Sequence, residues 1–265
     1  MALGIIISVF IPLVFLYIIW TLDIYALSRV PLVFGALLWG LFTFAASFSV
    51  QNALMRMGLL DFWQITLFNA PVLEQLLKAT FLIWLASQMR LRSSIDGAVY
   101  GFAVGTGFAM AENLLYISGT PDRALGIALA RVLSVSLMHA YTTGLVGTAA
   151  GSSLFLTRRA QLLRVGVSVA VAMFLHAAFN RLVLNLEGLP ALVAALFIGL
   201  SGTGVIVLLI QRSLALERRS LLAELAEVAS AGEVMATANP QQIAQILTRY
   251  RGTIDRERAD MIRQY

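Results

Sequence analysis

The sequence contains no cysteine, and only 12% of its residues are charged. Without cysteine there can be no disulfide bond, thiolate metal site or cysteine nucleophile, so any chemistry must use other side chains. Soluble domains carry about 25% charged residues, whereas 59% of this chain is hydrophobic and its mean hydropathy is +0.84. The composition therefore predicts a polytopic membrane protein whose first partner is the lipid bilayer.

Apolar runs long enough to cross a bilayer, about 20 residues each, occur seven times in the sequence. They lie near 3–22, 30–50, 62–88, 95–118, 125–155, 161–186 and 189–211. We expect an all-α bundle of about seven transmembrane helices, the first retained because it lacks the basic start of a signal peptide. The third run contains Pro71, where we expect a kink or break.

Basic residues are concentrated in alternate connections between these runs. One set contains Arg29, Arg90, Arg92, Arg158, Arg159, Arg164, Arg212, Arg218 and Arg219, and the other only Arg56, Arg123 and Arg181. Positive loops stay in the cytoplasm, which predicts an N-out, C-in protein of the cell membrane. The net charge of +5 therefore reports topology, and no nucleic-acid partner is expected. The composition becomes charged and amphipathic from Gln211, which predicts a membrane domain over 1–211 and a cytoplasmic helical tail over 212–265.

Small residues recur at four-residue spacing along the fourth run. Gly97, Gly101 and Gly105 are followed by Ala109. Residues four apart lie on one helix face, and a ridge of small residues lets another helix backbone approach closely. We expect tight helix packing along this ridge.

Ionisable side chains interrupt four consecutive apolar runs. Both histidines, the only lysine and two of the fourteen carboxylates lie there: His139, His176, Lys78, Glu74 and Glu112. Charges inside a membrane are costly, so such residues mark a candidate functional site and usually face one another. Each of these helices also has a polar pair at i and i+4, on one face: Glu74 with Lys78, Glu112 with Tyr116, His139 with Thr143, and His176 with Asn180. We expect these groups to share one cavity.

This set of side chains has the chemistry of a hydrolytic site. A carboxylate beside a histidine in a shielded cavity can take a proton from water. The second histidine and Asn180 can donate hydrogen bonds to the oxyanion of a tetrahedral intermediate, while Lys78 can hold a carboxylate by ion pairing.

At these residues the sequence resembles the PrsW-type intramembrane proteases, relatives of the CAAX prenyl proteases and the CPBP family. The matching stretches are Glu74-Gln-Leu-Leu-Lys78, then Asp96-Gly-Ala-Val-Tyr-Gly-Phe-Ala-Val-Gly-Thr-Gly-Phe-Ala-Met-Ala-Glu-Asn113 with Tyr116, then His139 with Thr143 and Gly147, and His176-Ala-Ala-Phe-Asn180. The resemblance covers roughly 60–185.

The resemblance implies a glutamic-type endopeptidase of the bacterial inner membrane that needs neither a metal nor another cofactor. It also implies a membrane-anchored protein substrate, such as an anti-sigma factor cut at an extracytoplasmic site. By the same carry-over, Glu74 and a motif histidine activate water, and His176 with Asn180 lies at the catalytic centre. Lys78, Glu112 and His139 complete the expected catalytic set.

Gln75 departs from the family pattern, which has a second glutamate at this position. Glutamine is nearly isosteric with glutamate but cannot accept a proton at neutral pH or balance Lys78. Gln75 therefore belongs to the candidate catalytic set as the position where we expect activity to be attenuated while the fold is preserved.

Two other functions remain open from the sequence. Two histidines and two glutamates can ligate a metal ion if their helices converge, although the HExxH pattern of zinc metalloproteases is absent. The same polar residues can also serve a non-catalytic membrane protein, either a proton-linked transporter or a pseudoprotease that binds membrane substrates.

Overall fold

The structure is a computed structural model, and it describes residues 1–21, 28–91, 93–153, 156–186, 190, 192–212, 215 and 219. Their regular secondary structure is helical, and no strand occurs among these described residues. The elements are α1 (Ala2–Thr21), α2 (Val30–Arg56), α3 (Phe62–Gln64), a first π-helical turn (Ile65–Asn69), α4 (Ala70–Ser87), α5 (Ser94–Gly119), a 3₁₀ turn (Pro121–Arg123), α6 (Ala124–Arg131), a second π-helical turn (Val132–Ser136), α7 (Leu137–Gly151), α8 (Arg158–Asn185) and α9 (Leu192–Arg212).

The prediction of a polytopic helical membrane bundle is confirmed. Five stretches of the described chain are long and apolar enough to cross a membrane: α1, α2, Pro121–Gly151, α8 and α9. The other two predicted spans, α3–α4 and α5, are also helical, but polar residues lower their hydropathy. α5 is buried along nearly all of its length, so its neighbours rather than lipid surround it. The N-out, C-in orientation stays a prediction.

The predicted close packing along the glycines of α5 is confirmed, and its partner is α7. A Cβ atom on Gly97, Gly101 or Gly105 would overlap a backbone carbonyl of α7. The carbonyls belong, in that order, to Gly147, Thr143 and His139. Contact at this distance between two backbones requires glycine. One of the candidate site residues, His139, therefore lies directly against the central helix.

The third predicted span does not break at Pro71. Instead, the helix continues, and the first π-helical turn lies immediately before Ala70 and Pro71. A proline ring clashes with the carbonyl four residues earlier in a regular helix, and the wider π turn relieves that clash. The second π-helical turn ends at Ser136, just before His139. Single π turns are frequent at functional sites, and here each one precedes a motif helix.

The predicted tail lies outside the described residues except for residues 212, 215 and 219. The division of the chain into 1–211 and 212–265 therefore stays a prediction.

Candidate active site

The structure brings together the five ionisable residues that the sequence singles out. They come from four helices: Glu74 and Lys78 from α4, Glu112 from α5, His139 from α7 and His176 from α8. Glu74, Lys78, His139 and His176 are all buried, and Lys78 has no exposed surface. In a protein interior such charges must be paired, and these residues pair with one another.

A chain of polar contacts runs from Lys78 through His139 to Glu112. The Nζ atom of Lys78 lies 3.0 Å from Nδ1 of His139, and Nε2 of His139 lies 3.0 Å from Oε2 of Glu112. An ammonium group can only donate. With Lys78 protonated and Glu112 ionised, Nδ1 accepts from Lys78 and the Nε2–H group donates to Glu112. Both ring nitrogens of His139 are then engaged.

Glu74 has one engaged and one unengaged carboxylate oxygen. Its Oε1 accepts a hydrogen bond from Nε2 of Gln51 at 3.2 Å. Among the described residues its Oε2 has no hydrogen-bond partner, although Nζ of Lys78 lies 3.9 Å away and Nε2 of His176 lies 4.0 Å away. Nδ1, the other ring nitrogen of His176, is buried and also has no hydrogen-bond partner in the part of the chain that the structure describes. The centre of the site therefore contains an acceptor oxygen with unused hydrogen-bonding capacity, and the imidazole of His176 lies beside it.

Aromatic contacts fix the rings around this centre. The rings of His139 and His176 meet edge to face, with centroids 5.0 Å apart and an interplanar angle of 87°. Phe108 also contacts His139, with 4.7 Å between ring centroids, and Nζ of Lys78 lies 4.2 Å from the Phe108 centroid. A cation over an aromatic face is stabilised by the ring quadrupole, so Phe108 supports the buried ammonium group.

Two candidate residues have their side-chain amides bonded to neighbouring helices. The side-chain amide of Gln75 donates to Oγ1 of Thr142 at 3.0 Å, and its Oε1 has no hydrogen-bond partner among the described residues. The amide of Asn180 donates to the carbonyl of Thr66 at 2.9 Å, in the first π-helical turn. Both side chains thus link two helical segments of the bundle.

The i+4 partners of Glu112 and His139 also lie outside the centre. Thr143 donates its hydroxyl to the backbone carbonyl of His139 at 2.9 Å, within α7. Tyr116 is 50% exposed and lies beneath the guanidinium of Arg131, 3.7 Å from the ring centroid. The two members of each i, i+4 pair share one helix face. Of the four pairs, Glu74 and Lys78 are the one whose side chains form an ion pair with each other.

Sequence reasoning missed two residues that contact the site. Gln51, on α2, holds Glu74, and Arg131, at the end of α6, pairs with Glu112 through Nη2 and Oε1 at 3.0 Å. Arg131 lies inside an apolar run, so the same argument that singled out Lys78 would have found it. Gln51 carries no charge, and the sequence gives no signal that distinguishes it from other polar residues in α2.

Glu74, His139 and His176 offer ligand atoms that lie within 4.8 Å of one another, close enough to share a metal ion. Catalytic metal sites use three protein ligands and keep a further position for water. Both nitrogens of His139 are engaged, however. Within this trio, and judged among the described residues, only Glu74 and His176 have ligand atoms without a hydrogen-bond partner. The Lys78 ammonium, 3.9 Å from Oε2 of Glu74, would also repel a cation. This hydrogen-bonded arrangement does not complete a metal site.

Comparison with known proteins identifies the family. A family model described as PrsW family intramembrane metalloprotease matches residues 28–215. That match covers well over half of the chain, and the protein belongs to the PrsW family of intramembrane proteases. No curated protein and no solved structure matches the chain.

Proposed function

We propose that this protein is an intramembrane endopeptidase that activates water with Glu74, without a metal ion, and cleaves a membrane-anchored protein. The observation that supports this proposal most directly is the unpartnered Oε2 of Glu74, buried beside His176 at the meeting point of the family motifs. A buried polar atom without a partner costs free energy. Its presence at the centre of the site is understandable if substrate and water provide the partner during turnover.

In the proposed reaction, Oε2 of Glu74 accepts a proton from a water molecule while the oxygen of that water attacks the scissile carbonyl carbon. The C–N bond then breaks, and the same proton passes from Glu74 to the departing amine. Oε1 stays bound to Gln51, so the carboxylate keeps its orientation throughout. General base catalysis by a positioned side chain contributes about 10²- to 10⁴-fold to the rate.

His176 is the histidine we assign to the reacting groups. Its Nε2 lies 4.0 Å from Oε2 of Glu74, whereas both nitrogens of His139 are engaged with Lys78 and Glu112. His176 can therefore bind the attacking water or donate to the oxyanion, a contribution of about 3 kcal/mol per donor. Lys78 balances the charge of Glu74, and His139 links Lys78 to Glu112. Asn180 has its amide committed to Thr66, so its role is to hold α8 against the turn that leads to Glu74.

The substrate class follows from the membrane setting and the family. A catalytic centre enclosed by helices is reached by a polypeptide that is itself in the membrane, so we propose a membrane-anchored protein as the partner. An anti-sigma factor is the specific substrate that the family resemblance implies. Glu112 and Arg131 lie towards the predicted extracytoplasmic side of the bundle, and their side chains are 21% and 16% exposed. We propose that the cut is made on this side, in the inner membrane of a bacterium.

Metal-dependent hydrolysis is the second candidate mechanism, because the family carries the description metalloprotease and three ligand atoms lie within 4.8 Å. It requires His139 to release either Lys78 or Glu112 before it can act as a third ligand. Metal analysis of the purified protein and cleavage in the presence of a chelator separate the two mechanisms. Cleavage that resists chelation, by protein without stoichiometric metal, supports the metal-independent proposal.

The test of function is cleavage of a panel of single-span membrane proteins, including anti-sigma factors, in proteoliposomes. Glu74→Gln keeps the shape of the side chain and removes its ability to accept a proton, so we expect cleavage to be lost. His176→Ala should also abolish it. Asp122→Asn is the matched control, because it removes a carboxylate from the exposed 3₁₀ turn and should cleave like the wild type. Retained turnover in folded Glu74→Gln would contradict the proposal.

A folded wild-type protein that cleaves no member of the panel would favour the non-catalytic alternatives. Binding of a panel member without cleavage would point to a pseudoprotease. Proton flux across the proteoliposome membrane would point to a transporter, since the contacts from Lys78 to Glu112 could then act as a relay.

A further inference from the structure

Arg131 contacts three residues of the second family motif at once, although it belongs to none of the motifs. Its Nη2 forms an ion pair with Oε1 of Glu112 at 3.0 Å, without the geometry of a hydrogen bond. Its Nε donates to Oδ1 of Asn113 at 3.0 Å, and its guanidinium lies 3.7 Å from the Tyr116 ring centroid. A single side chain of α6 thus contacts three residues in the last two turns of α5.

The contacts continue from Arg131 into the site. Because Arg131 takes Oε1 of Glu112, the other oxygen, Oε2, is directed at Nε2 of His139. Asn113, which Arg131 holds through Oδ1, also contacts the segment before α7, because its amide donates to Oγ of Ser136 at 2.8 Å. Ser136 ends the π-helical turn that leads into α7. Arg131 therefore reaches His139 by two routes, one through the side chain of Glu112 and one through the backbone before α7.

A carboxylate held on one side commonly orients a histidine on its other side, as in metal sites and catalytic triads. The planar guanidinium suits this role, because it presents several donors in fixed directions and stacks on aromatic rings, whereas an ammonium does neither in a fixed way. The site around Lys78 needs such an orienting group, since Nδ1 of His139 can accept from Lys78 only while its Nε2–H group points to Glu112.

We propose that Arg131 is a positioning residue of the active site, which fixes the Glu112 carboxylate and through it the orientation of His139 beside Lys78. The inference rests on the proposed function for its effect on cleavage. Its effect on His139 does not depend on a substrate and is measured separately.

The first measurement is the nuclear magnetic resonance spectrum of protein labelled with ¹⁵N-histidine and purified without a histidine tag. Only two histidines occur in the chain, and the spectrum of His176→Ala assigns the remaining signals to His139. We expect wild-type His139 to show an Nε2–H proton that exchanges slowly with water, as a buried hydrogen bond to Glu112 requires. In Arg131→Met this proton should exchange rapidly or its signal should be lost.

The second measurement is cleavage by the same variants in proteoliposomes. Loss of an orienting partner typically costs about 10- to 100-fold in activity, and we expect that loss in kcat for Arg131→Met with little change in KM. Arg131→Lys keeps the positive charge but lacks the planar guanidinium with its several donors. Its activity should lie between those of Arg131→Met and the wild type. The matched control is Arg123→Met, which removes an exposed arginine of the 3₁₀ turn and should leave both the signal and the activity unchanged.

Removing Arg131 alone leaves the Glu112 charge without its cation, which can prevent folding. The double variant Arg131→Met with Glu112→Gln removes both charges and should fold, yet it should still lack the slowly exchanging His139 proton. The proposal would be overturned if that proton persisted in folded Arg131→Met or in the folded double variant. Full activity in Arg131→Lys would also overturn it. If the proton is lost but no variant, including the wild type, cleaves any substrate, the proposed function fails and the positioning role stands.

Discussion

Replacement of Gly105 by alanine should displace α5 from α7 next to the active site. A Cβ atom there would overlap the carbonyl of His139 and lie 2.6 Å from the Ala140 Cα. Relieving the Ala140 contact alone requires a backbone movement of roughly 0.8 Å, and the closer overlap with the His139 carbonyl oxygen requires more, about 1 Å or slightly above. Because Glu112 is on α5 and His139 on α7, a movement of that size would stretch their 3.0 Å contact beyond hydrogen-bond length.

The expected cost has two parts. Alanine is intrinsically better in a helix than glycine by about 1 kcal/mol, but overpacking of a close contact costs about 1–3 kcal/mol, so the folded state should lose up to about 2 kcal/mol. Misplacement of a catalytic group by about 1 Å can cost about 100-fold in rate. We therefore expect Gly105→Ala to lose far more activity than stability.

The assays are initial rates of cleavage in proteoliposomes and thermal unfolding in detergent. Gly126→Ala is the matched control, because that glycine is also helical and nothing lies within 4 Å of its added Cβ. It should cleave like the wild type and unfold at no lower temperature. Wild-type activity and stability in Gly105→Ala would refute the reasoning, since the two helices would then have space that the structure does not give them.

Three further variants test single contacts of the site. Gln75→Glu restores the family's second glutamate and should raise cleavage in proteoliposomes; an unchanged rate would end the idea of an attenuated enzyme. Gln51→Leu removes the hydrogen bond that orients Glu74 and should lower kcat by about tenfold, whereas an unchanged kcat would show that the carboxylate needs no such partner. Asn180→Ala should lower the free energy of unfolding by about 1–3 kcal/mol, because it removes the side-chain donor from the partly buried Thr66 carbonyl. Asn185→Ala, which loses only a bond to its own helix, should have a much smaller effect.

The helical bundle could be predicted from the sequence because the membrane restricts the possible structures. Long apolar runs must form helices, since backbone polar groups have no partners in lipid. The glycine ridge on α5 could likewise be predicted, because residues at four-residue spacing share a face whatever they pack against. The position of the helix distortion before Pro71 could not be predicted, because the formation of a π turn depends on how the neighbouring helices pack against that segment.

Only part of the candidate site could be predicted. Charges inside apolar runs identify Lys78 and its partners because their burial is costly wherever they lie. The direction of an uncharged amide is different, since Gln75 and Asn180 could face the centre or a neighbouring helix at a similar free-energy cost. Their contacts with Thr142 and Thr66 follow from tertiary packing, and no periodic pattern in the sequence indicates them.

Charge balance explains why the site needs Arg131 as well as the motif residues. Glu74 and Glu112 place two carboxylates among buried helices, and Lys78 is the only cation that the motifs supply. One ammonium cannot compensate two anions in a medium of low dielectric constant. Arg131 supplies the second positive charge at the more exposed end of the network, where its side chain is 16% exposed. This arrangement leaves Lys78 to balance Glu74 at the buried centre, where the proposed reaction requires the carboxylate to remain charged until it takes a proton from water.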